Sequence, residues 1–250
     1  MTDNHQGGNT SFWSKEQVTQ YNQRQEMISE AKAENINNIK RIYIYFKRIH
    51  QIKNASVLDI GCGPGTVSGL ILREDESASV TGIDSSPEMI KTAETCMEEL
   101  FPGRFSGVNA NFNERSFWDN INREFDFILS SGAMHYLSDK RIKEFISEIY
   151  SHLTSNGIFI ASIGTRSSFN AIAEMQKRFM AEFTYSKLSN KRKQKQQIDE
   201  FQNSYIEQEA KANINWKPAE YYLDALNEVG FESSDIVFKH WSRSTFIALK

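Results

Sequence analysis

The sequence predicts an α/β protein built on a parallel, doubly wound sheet with helices on both faces. Three features carry that expectation. Short β-branched, apolar runs alternate with amphipathic helical stretches between residues 55 and 163. The first of these runs ends in a glycine cluster, Gly61, Gly63, Gly65 and Gly69, where a buried strand must turn abruptly into a helix. Two apolar runs separated by only two residues close the chain and read as an antiparallel hairpin.

The elements follow in order. Residues 1–11 are polar, contain Gly7-Gly8 and read as a flexible tail. Residues 12–53 read as an N-terminal helical cap, because Ile39, Ile42, Phe46 and Ile49 recur at spacings of three and four and share one face. The core, 54–164, opens with a strand at Ala55–Ile60 and a helix at Thr66–Arg73. Ser79–Ile83 is the second strand and ends at Asp84. Ser85-Ser86-Pro87-Glu88 starts the next helix with a serine cap, proline in the first turn and an acid at the positive end of the dipole; Pro102-Gly103 stops it after Phe101. Arg104–Val108 and Phe125–Ser130 are the third and fourth strands. A helix over Asp139–Leu153 places Ile142, Phe145, Ile146, Ile149 and Leu153 on one side, Ser155-Asn156-Gly157 is a turn, and Gly157–Ile163 is the fifth strand. Residues 165–215 break the rhythm: they are polar and helix-prone, and read as a helical insertion, a lid over the strand ends. Residues 216–250 return to the sheet, with a helix over Pro218–Val229, Gly230 at its C-cap position, and strands at Phe231–Trp241 and Ser244–Lys250.

Composition excludes several classes. The 250 residues suit one large domain, or one domain with an insertion. With 29 basic against 32 acidic residues the net charge is −3, which gives no general attraction to nucleic acid. No apolar run approaches the roughly 18 residues of a membrane span, and the first ten residues lack the basic start and apolar stretch of a secretory signal. A cytoplasmic protein without nucleic-acid or membrane partners is expected. Cys62 and Cys96 cannot build a disulfide framework or a four-ligand zinc site, and His5, His50, His152 and His240 show no metal-ligand spacing, so no metal is expected.

The chemistry concentrates at the strand ends, where open α/β sheets bind their ligands. In Val57-Leu58-Asp59-Ile60-Gly61-Cys62-Gly63-Pro64-Gly65-Thr66 the glycines let a ligand touch the main chain, and the next helix presents free N–H groups. The spacing is Gly-x-Gly-x-Gly with Thr66 following, which departs from the Gly-x-Gly-x-x-Gly dinucleotide fingerprint. Cys62 sits beside a helix start, where a thiol pKa can fall, and otherwise reads as a small filler. Asp84, 23 residues after Gly61, is either a helix-terminal acid or a carboxylate accepting from both hydroxyls of a ribose. Asn109-Ala110-Asn111 is either an Asn-rich turn or an adenine-binding segment, a side-chain carbonyl accepting from the amino group and the Ala110 N–H donating to a ring nitrogen. Ser130-Ser131-Gly132-Ala133 leaves room beside a ligand. His135 next to it is either a structural histidine or a general base at neutral pH.

Together these residues resemble the class I S-adenosylmethionine-dependent methyltransferases. VLDIGCGPGT is similar to the family's glycine-rich first motif, VTGIDSSPEMI to its second, FDFILSSGAMHYLSD to its fourth-strand motif, and GFESSDIVFKHW with STFIALK to its terminal antiparallel pair. The resemblance implies a Rossmann-like, seven-stranded, mostly parallel sheet with one antiparallel strand. It implies S-adenosyl-L-methionine as cofactor and S-adenosyl-L-homocysteine as product. Gly61, Cys62, Gly63 and Gly65 would approach the methionine portion with help from Asp59. Asp84 and Ser85 would meet the ribose, Met89, Asn109, Ala110 and Asn111 the adenine, and Ser130 and Ser131 the space beside the nucleoside. The N-terminal region resembles small-molecule members such as the trans-aconitate methyltransferases, with Trp13 and Tyr21 similarly placed; Tyr21 would either close over the methionine end or pack within a helix. No Asn-Pro-Pro-Tyr or Asp-Pro-Pro-Tyr follows the fourth strand, unlike relatives that methylate nucleobase or glutamine amino groups. The expected function is in-line methyl transfer to an O or N atom of a small molecule by a monomer or homodimer, with His135 as base where the acceptor needs one. The alternatives are an NAD(P)-dependent oxidoreductase and a non-catalytic S-adenosylmethionine-binding subunit. In the insertion, Phe169, Phe179, Phe183, Tyr185, Phe201 and Tyr205 either form an acceptor pocket or glue the insertion to the core. Lys187, Lys191, Arg192, Lys193 and Lys195 form either a solvated face or an anion site.

Overall fold

The computed structural model describes residues 34–119, 121–186, 197–211 and 214–250. A helix at 34–49 (α1) leads into strand β1 (Ser56–Ile60), helix α2 (Thr66–Glu74), β2 (Ser79–Asp84), α3 (Pro87–Leu100) and β3 (Phe105–Asn109). Then come β4 (Phe125–Ser131), α4 (Asp139–Ser151), β5 (Leu153–Gly164), α5 (Asn170–Ser186), α6 (Ile198–Lys211), α7 (Ala219–Val229), β6 (Ser233–His240) and β7 (Arg243–Leu249). The strands form one seven-stranded sheet in the order β3-β2-β1-β4-β5-β7-β6. Every pairing is parallel except those of β7, which runs antiparallel to both β5 and β6. The chain winds outward from β1 to β3 and then restarts at β4 on the other side of β1, so a crevice must open at the carboxyl ends of β1 and β4.

Local signals explain the boundaries. Ser86 caps α3, its Oγ accepting from the Met89 N–H at 3.3 Å, with Pro87 in the first turn. Ser138 caps α4 in the same way. Alternating strand residues face two apolar layers. Leu58, Ile60, Ile128 and Phe159 pack with Phe145 and Ile149 of α4 and with Tyr222 and Leu226 of α7. Val57, Val80, Phe127 and Ile160 pack on the other side with Ile39 and Tyr43 of α1 and Ile71 of α2.

Several expected boundaries move. The buried stripe of α1 is Ile36, Ile39 and Tyr43, whereas Ile49 is 48% exposed at the helix end. Ser155-Asn156-Gly157 does not separate α4 from the sheet. It lies inside β5 as an irregularity: pairing passes from Phe125↔Leu153 to Phe127↔Ile158, with Asn156 at φ 69°. Main-chain bonds from Asn156 N–H to Lys250 O and from Lys250 N–H to Gly157 O hold the excursion in the sheet. The closing hairpin turns at Trp241-Ser242, one residue earlier than expected, with Trp241 at φ 48°.

The insertion between β5 and α7 is helical among the described residues, and is tied at its base by the Thr165↔Lys217 bridge and the Arg166 N–H to Lys217 O bond of 2.8 Å. Its aromatic residues serve attachment: Phe179 packs edge-on to Trp241 (ring centroids 4.6 Å), Phe183 to His240 (4.7 Å), and Tyr185 packs against Phe201 across α5 and α6 (5.6 Å). Phe169 is 70% exposed. The tail at 1–11, Trp13, Tyr21 and the basic cluster Lys187–Lys195 lie outside the described residues, as does the side chain of Tyr205. No helix among the described residues is long and apolar enough to cross a membrane.

Helix α1 is fastened to the core by Asp75, which follows α2. Its carboxylate accepts from Tyr43 Oη at 2.5 Å, pairs with Lys47 Nζ at 2.6 Å, and accepts from the Ser77 N–H and hydroxyl at 3.0 and 2.7 Å. Burial pushes the Asp75 pKa up, but the bonds from Lys47, Tyr43 and Ser77 outweigh it and hold the carboxyl below its ordinary value. A depressed carboxyl stabilises the fold above its unfolded pKa of about 4 and loses that contribution as the pH falls through its folded value. Asp75→Asn is therefore expected to lower stability by roughly 1–3 kcal/mol at pH 7, with the gap to wild type shrinking well below pH 4. Urea melts at pH 7 and at pH 3 check this; an equal gap at both contradicts it.

Candidate active site

The turn after β1 is drawn against the end of β2. Gly61 and Cys62 both donate their N–H to Ile83 O, at 2.8 and 2.9 Å. Gly61 (φ 69°) and Gly63 (φ 53°) are left-handed for different reasons. A Cβ on Gly61 would stand 2.4 Å from the Ala133 Cβ after β4, so this glycine lets two strand ends touch. A Cβ on Gly63 would meet nothing within 4 Å. That bare stretch of main chain faces open space. Gly65, the N-cap of α2, packs towards Met97 and Ala93 of α3.

Asp84 completes the junction. Its Oδ2 accepts from the Gly63 N–H and its Oδ1 from the Ser86 N–H, both at 2.9 Å. Burial pushes its pKa above the ordinary carboxylate value, against main-chain bonds from Ser86, Gly63 and Ser85 that pull it down. Each oxygen retains lone-pair capacity for a further donor.

These residues frame a cavity of about 650 Å³, part of it open to solvent. The ends of β1 and β2 contribute Gly61, Gly63, Asp84 and Ser85, and α3 contributes Met89. The loop after β3 supplies Asn111, Phe112 and Asn113; the end of β4 supplies Ser131, Gly132, Ala133 and Tyr136. Seven residues of the expected cofactor-binding set thus share one cavity: Gly61, Gly63, Asp84, Ser85, Met89, Asn111 and Ser131.

Others stand behind its walls. Asp59 is buried and accepts from Ser68 Oγ of α2 at 2.6 Å. Cys62 is buried with its Sγ 3.6 Å from Gly63 O; burial, then the charges of Asp59 and Asp84, push its thiol pKa up, opposite to the activation a helix start suggests. Ala110 N–H donates to Asp84 O at 3.1 Å, so the donor expected for an adenine ring nitrogen is spent within the fold. Asn109 Nδ2 donates to the same carbonyl at 2.9 Å. Ser130 is buried with no hydrogen-bond partner on its hydroxyl.

His135 does not stand where a base must. The short 3₁₀ turn Met134–Tyr136 rotates successive side chains by about 120°, so Tyr136 meets the cavity while His135 turns into the protein. Its Nδ1 accepts from the Gly164 N–H at 3.2 Å, and its ring lies parallel to Trp216 at 6.2 Å. Burial, and then the charge of Arg243, push its pKa down to about 3, so the ring is neutral at physiological pH. A buried, weakly basic nitrogen already occupied by a main-chain donor cannot relay a proton to the cavity. Phe112 and Asn113 are wall residues that sequence reasoning left out. Phe112 in an otherwise polar, Asn-rich loop was the available signal.

Residues 57–157 match the family model described as a methyltransferase domain. A carboxy-S-adenosyl-L-methionine synthase of Campylobacter fetus is 30% identical over 206 residues, spanning 79% of this chain and 78% of that protein. The chain belongs to the class I S-adenosylmethionine-dependent methyltransferases. Its cofactor is S-adenosylmethionine. This overturns the nicotinamide alternative that Asp84 and the glycine loop had left open. Solved structures agree on the fold. A magnesium protoporphyrin IX methyltransferase from Synechocystis PCC 6803 with bound S-adenosylmethionine superposes with a TM-score of 0.59 at 10% identity, over 93% of this chain and 91% of that one. An O-methyltransferase family protein from Burkholderia thailandensis gives 0.57 at 13% identity over 78% of this chain, which spans about half (51%) of that protein.

The two glycines separate in experiment. Gly61→Ala must relieve both a left-handed φ and the overlap with Ala133, and is expected to cost roughly 2–5 kcal/mol of stability. Gly63→Ala meets only the φ penalty, about 1–2 kcal/mol, but intrudes on the cavity and should weaken S-adenosylhomocysteine binding. Urea denaturation and calorimetric titration measure the two; equal stability losses contradict the assignment.

Proposed function

We propose that this protein transfers the methyl group of S-adenosylmethionine to an oxygen or nitrogen atom of a small molecule held at the carboxyl ends of β1, β2 and β4. The observation that carries the reading is the junction of Asp84 with the bare Gly63 main chain on one cavity wall. The cavity suits an adenosyl cofactor in its donor set: a half-buried carboxylate with spare acceptor capacity, a stretch of backbone free of side chains, and a wall made by Met89 and Asn111–Asn113.

When bound, the cofactor supplies an activated methyl group on a sulfonium. The protein's own residues hold and orient. Asp84 accepts from the ribose hydroxyls. Gly61 and Gly63 let the methionine portion lie against the main chain, with Gly65, Cys62 and Asp59 shaping the turn from behind. Ser131, Gly132 and Ala133 leave room on the β4 side for the acceptor, beside Tyr136. Among the described residues, the titratable side chains on the wall are Asp84 and Tyr136. With His135 neutral and turned away, alignment is the main contribution, and the acceptor atom arrives as a nucleophile that needs little help: an ionised oxygen or a neutral amine.

A second reading is favoured by the length of the likeness to the Campylobacter fetus protein, which covers most of both chains. On it, S-adenosylmethionine is itself the substrate: its S-methyl carbon loses a proton and bonds to the carboxyl carbon of an organic carboxylate, whose own bond to that carbon breaks and whose remnant takes up the proton. The product is carboxylated S-adenosylmethionine. One experiment separates the readings. The protein is incubated with methyl-labelled S-adenosylmethionine and a panel of amines, phenols and small carboxylic acids, the acids serving both as methyl acceptors and as carboxyl donors. Label in an acceptor supports methyl transfer. A nucleoside heavier by the mass of CO2 supports the second reading. Binding without turnover on any panel member would leave a non-catalytic subunit and contradict both.

Asp84→Ala is expected to weaken S-adenosylhomocysteine binding at least about tenfold, the loss of charge-assisted bonds to two hydroxyls. Unchanged affinity by calorimetry contradicts the ribose role.

A further inference from the structure

The wall made by Asn111–Asn113 is held from beneath by a buried cation on a different element. Arg141, in the first turn of α4, is 5% exposed. Its Nε donates to Phe112 O at 2.9 Å and its Nη2 reaches Glu114 O at 3.4 Å. The Nη1–Nη2 end of the guanidinium meets Glu148, seven residues and two turns further along α4, with Nη1 to Oε1 and Nη2 to Oε2 both at 2.7 Å. Glu148 is fixed in turn by the Trp118 Nε1–H at 2.6 Å, and Trp118 stacks on His152 at 4.0 Å.

The loop's own bonds set its internal shape only. Asn113 N–H donates to Asn111 Oδ1 at 3.0 Å, and Glu114 N–H to Asn111 O at 2.9 Å. Ala110 N–H and Asn109 Nδ2, both on Asp84 O, tie the start of the loop to β2, and the guanidinium, together with Phe112 packing against Phe145, ties the rest of it to α4. Burying a guanidinium costs several kcal/mol of desolvation unless each edge is satisfied, and here one edge is turned to main-chain carbonyls of a cavity wall.

We propose that Arg141 is a positioning residue: its fork, aligned by Glu148, holds the Asn111–Asn113 wall at the spacing that admits an adenine and discriminates its edge. The inference rests on the cofactor placement proposed above. A lysine keeps the charge but lacks the fork, so it cannot hold the Phe112 carbonyl and Glu148 together.

The test uses the full chain and two probes, S-adenosylhomocysteine and its deaminated analogue S-inosylhomocysteine, titrated calorimetrically at a temperature where melting curves show each variant folded. Wild type should prefer the adenine compound by about tenfold or more. Arg141→Lys should weaken S-adenosylhomocysteine binding about tenfold and narrow the preference to within about threefold. A purely structural role lowers the melting temperature but leaves the preference intact, and that result overturns the proposal; so does a wild type that binds both compounds alike. Where Arg141→Lys does not fold, Glu148→Gln decides: a partial narrowing supports the proposal and an unchanged preference overturns it. A wild type that binds neither compound instead removes the cofactor placement itself.

Discussion

The 2.9 Å bond from the Gly63 N–H to the Asp84 carboxylate is the constraint around which the crevice is arranged. It draws the turn after β1 onto the end of β2, where the Gly61 and Cys62 N–H groups find the Ile83 carbonyl. With the turn held there, Gly61 lies against Ala133 at the end of β4 and Gly63 is left facing the cavity. Three strand ends are thereby brought to one place. The bond also orients the carboxylate, fixing it with main-chain donors while sparing capacity on both oxygens. Desolvation raises its pKa, so a bound hydroxyl would face a strong acceptor in a partly dry site.

The cavity has two sides of different construction. The β3 side is a polar loop fastened to α4 by the buried Arg141, which donates to the Phe112 carbonyl and pairs with half-buried Glu148 on its own helix. The β4 side is fastened to the end of the insertion: Asn215 N–H donates to His135 O and Asn215 Nδ2 to Leu137 O, both at 2.8 Å, and Lys217 meets Asp139 at 2.6 Å. Arg166 lies over Trp216 at 3.8 Å behind this segment. The insertion therefore begins and ends at the rim beside Tyr136, while its aromatic side chains on α5 grip the β6–β7 hairpin. His135 belongs to this framework, linking the β4 loop to Gly164 at the end of β5.

Much of the fold was legible in the sequence because strand period, glycine turns and serine caps are local signals. The strand–helix alternation, the Gly61–Gly65 turn, the start of α3 at Ser86-Pro87 and the terminal hairpin depend on neighbours within a few residues. What failed was set at longer range. Ser155-Asn156-Gly157 has turn chemistry, yet Lys250 pairs with it and keeps it in β5. Ile49 has the right spacing for the buried face of α1, but the contacts stop before it. At the site, Gly63 and Asp84 were legible because their spacing encodes the β1–β2 junction. His135 and Ala110 were misjudged because residue type does not reveal which way a 3₁₀ turn rotates, or that the Ala110 N–H is taken by the Asp84 carbonyl. The Arg141 fork joins α4 to the loop after β3 and has no local signature.

The most direct test of this account is a crystal structure with S-adenosylhomocysteine bound. Both ribose hydroxyls should lie within about 3 Å of the Asp84 oxygens, with the base between Met89 and Asn111–Asn113 and the amino-acid end against Gly61 and Gly63. A nucleoside bound elsewhere, or one whose ribose leaves Asp84 bonded to the main chain alone, would contradict it.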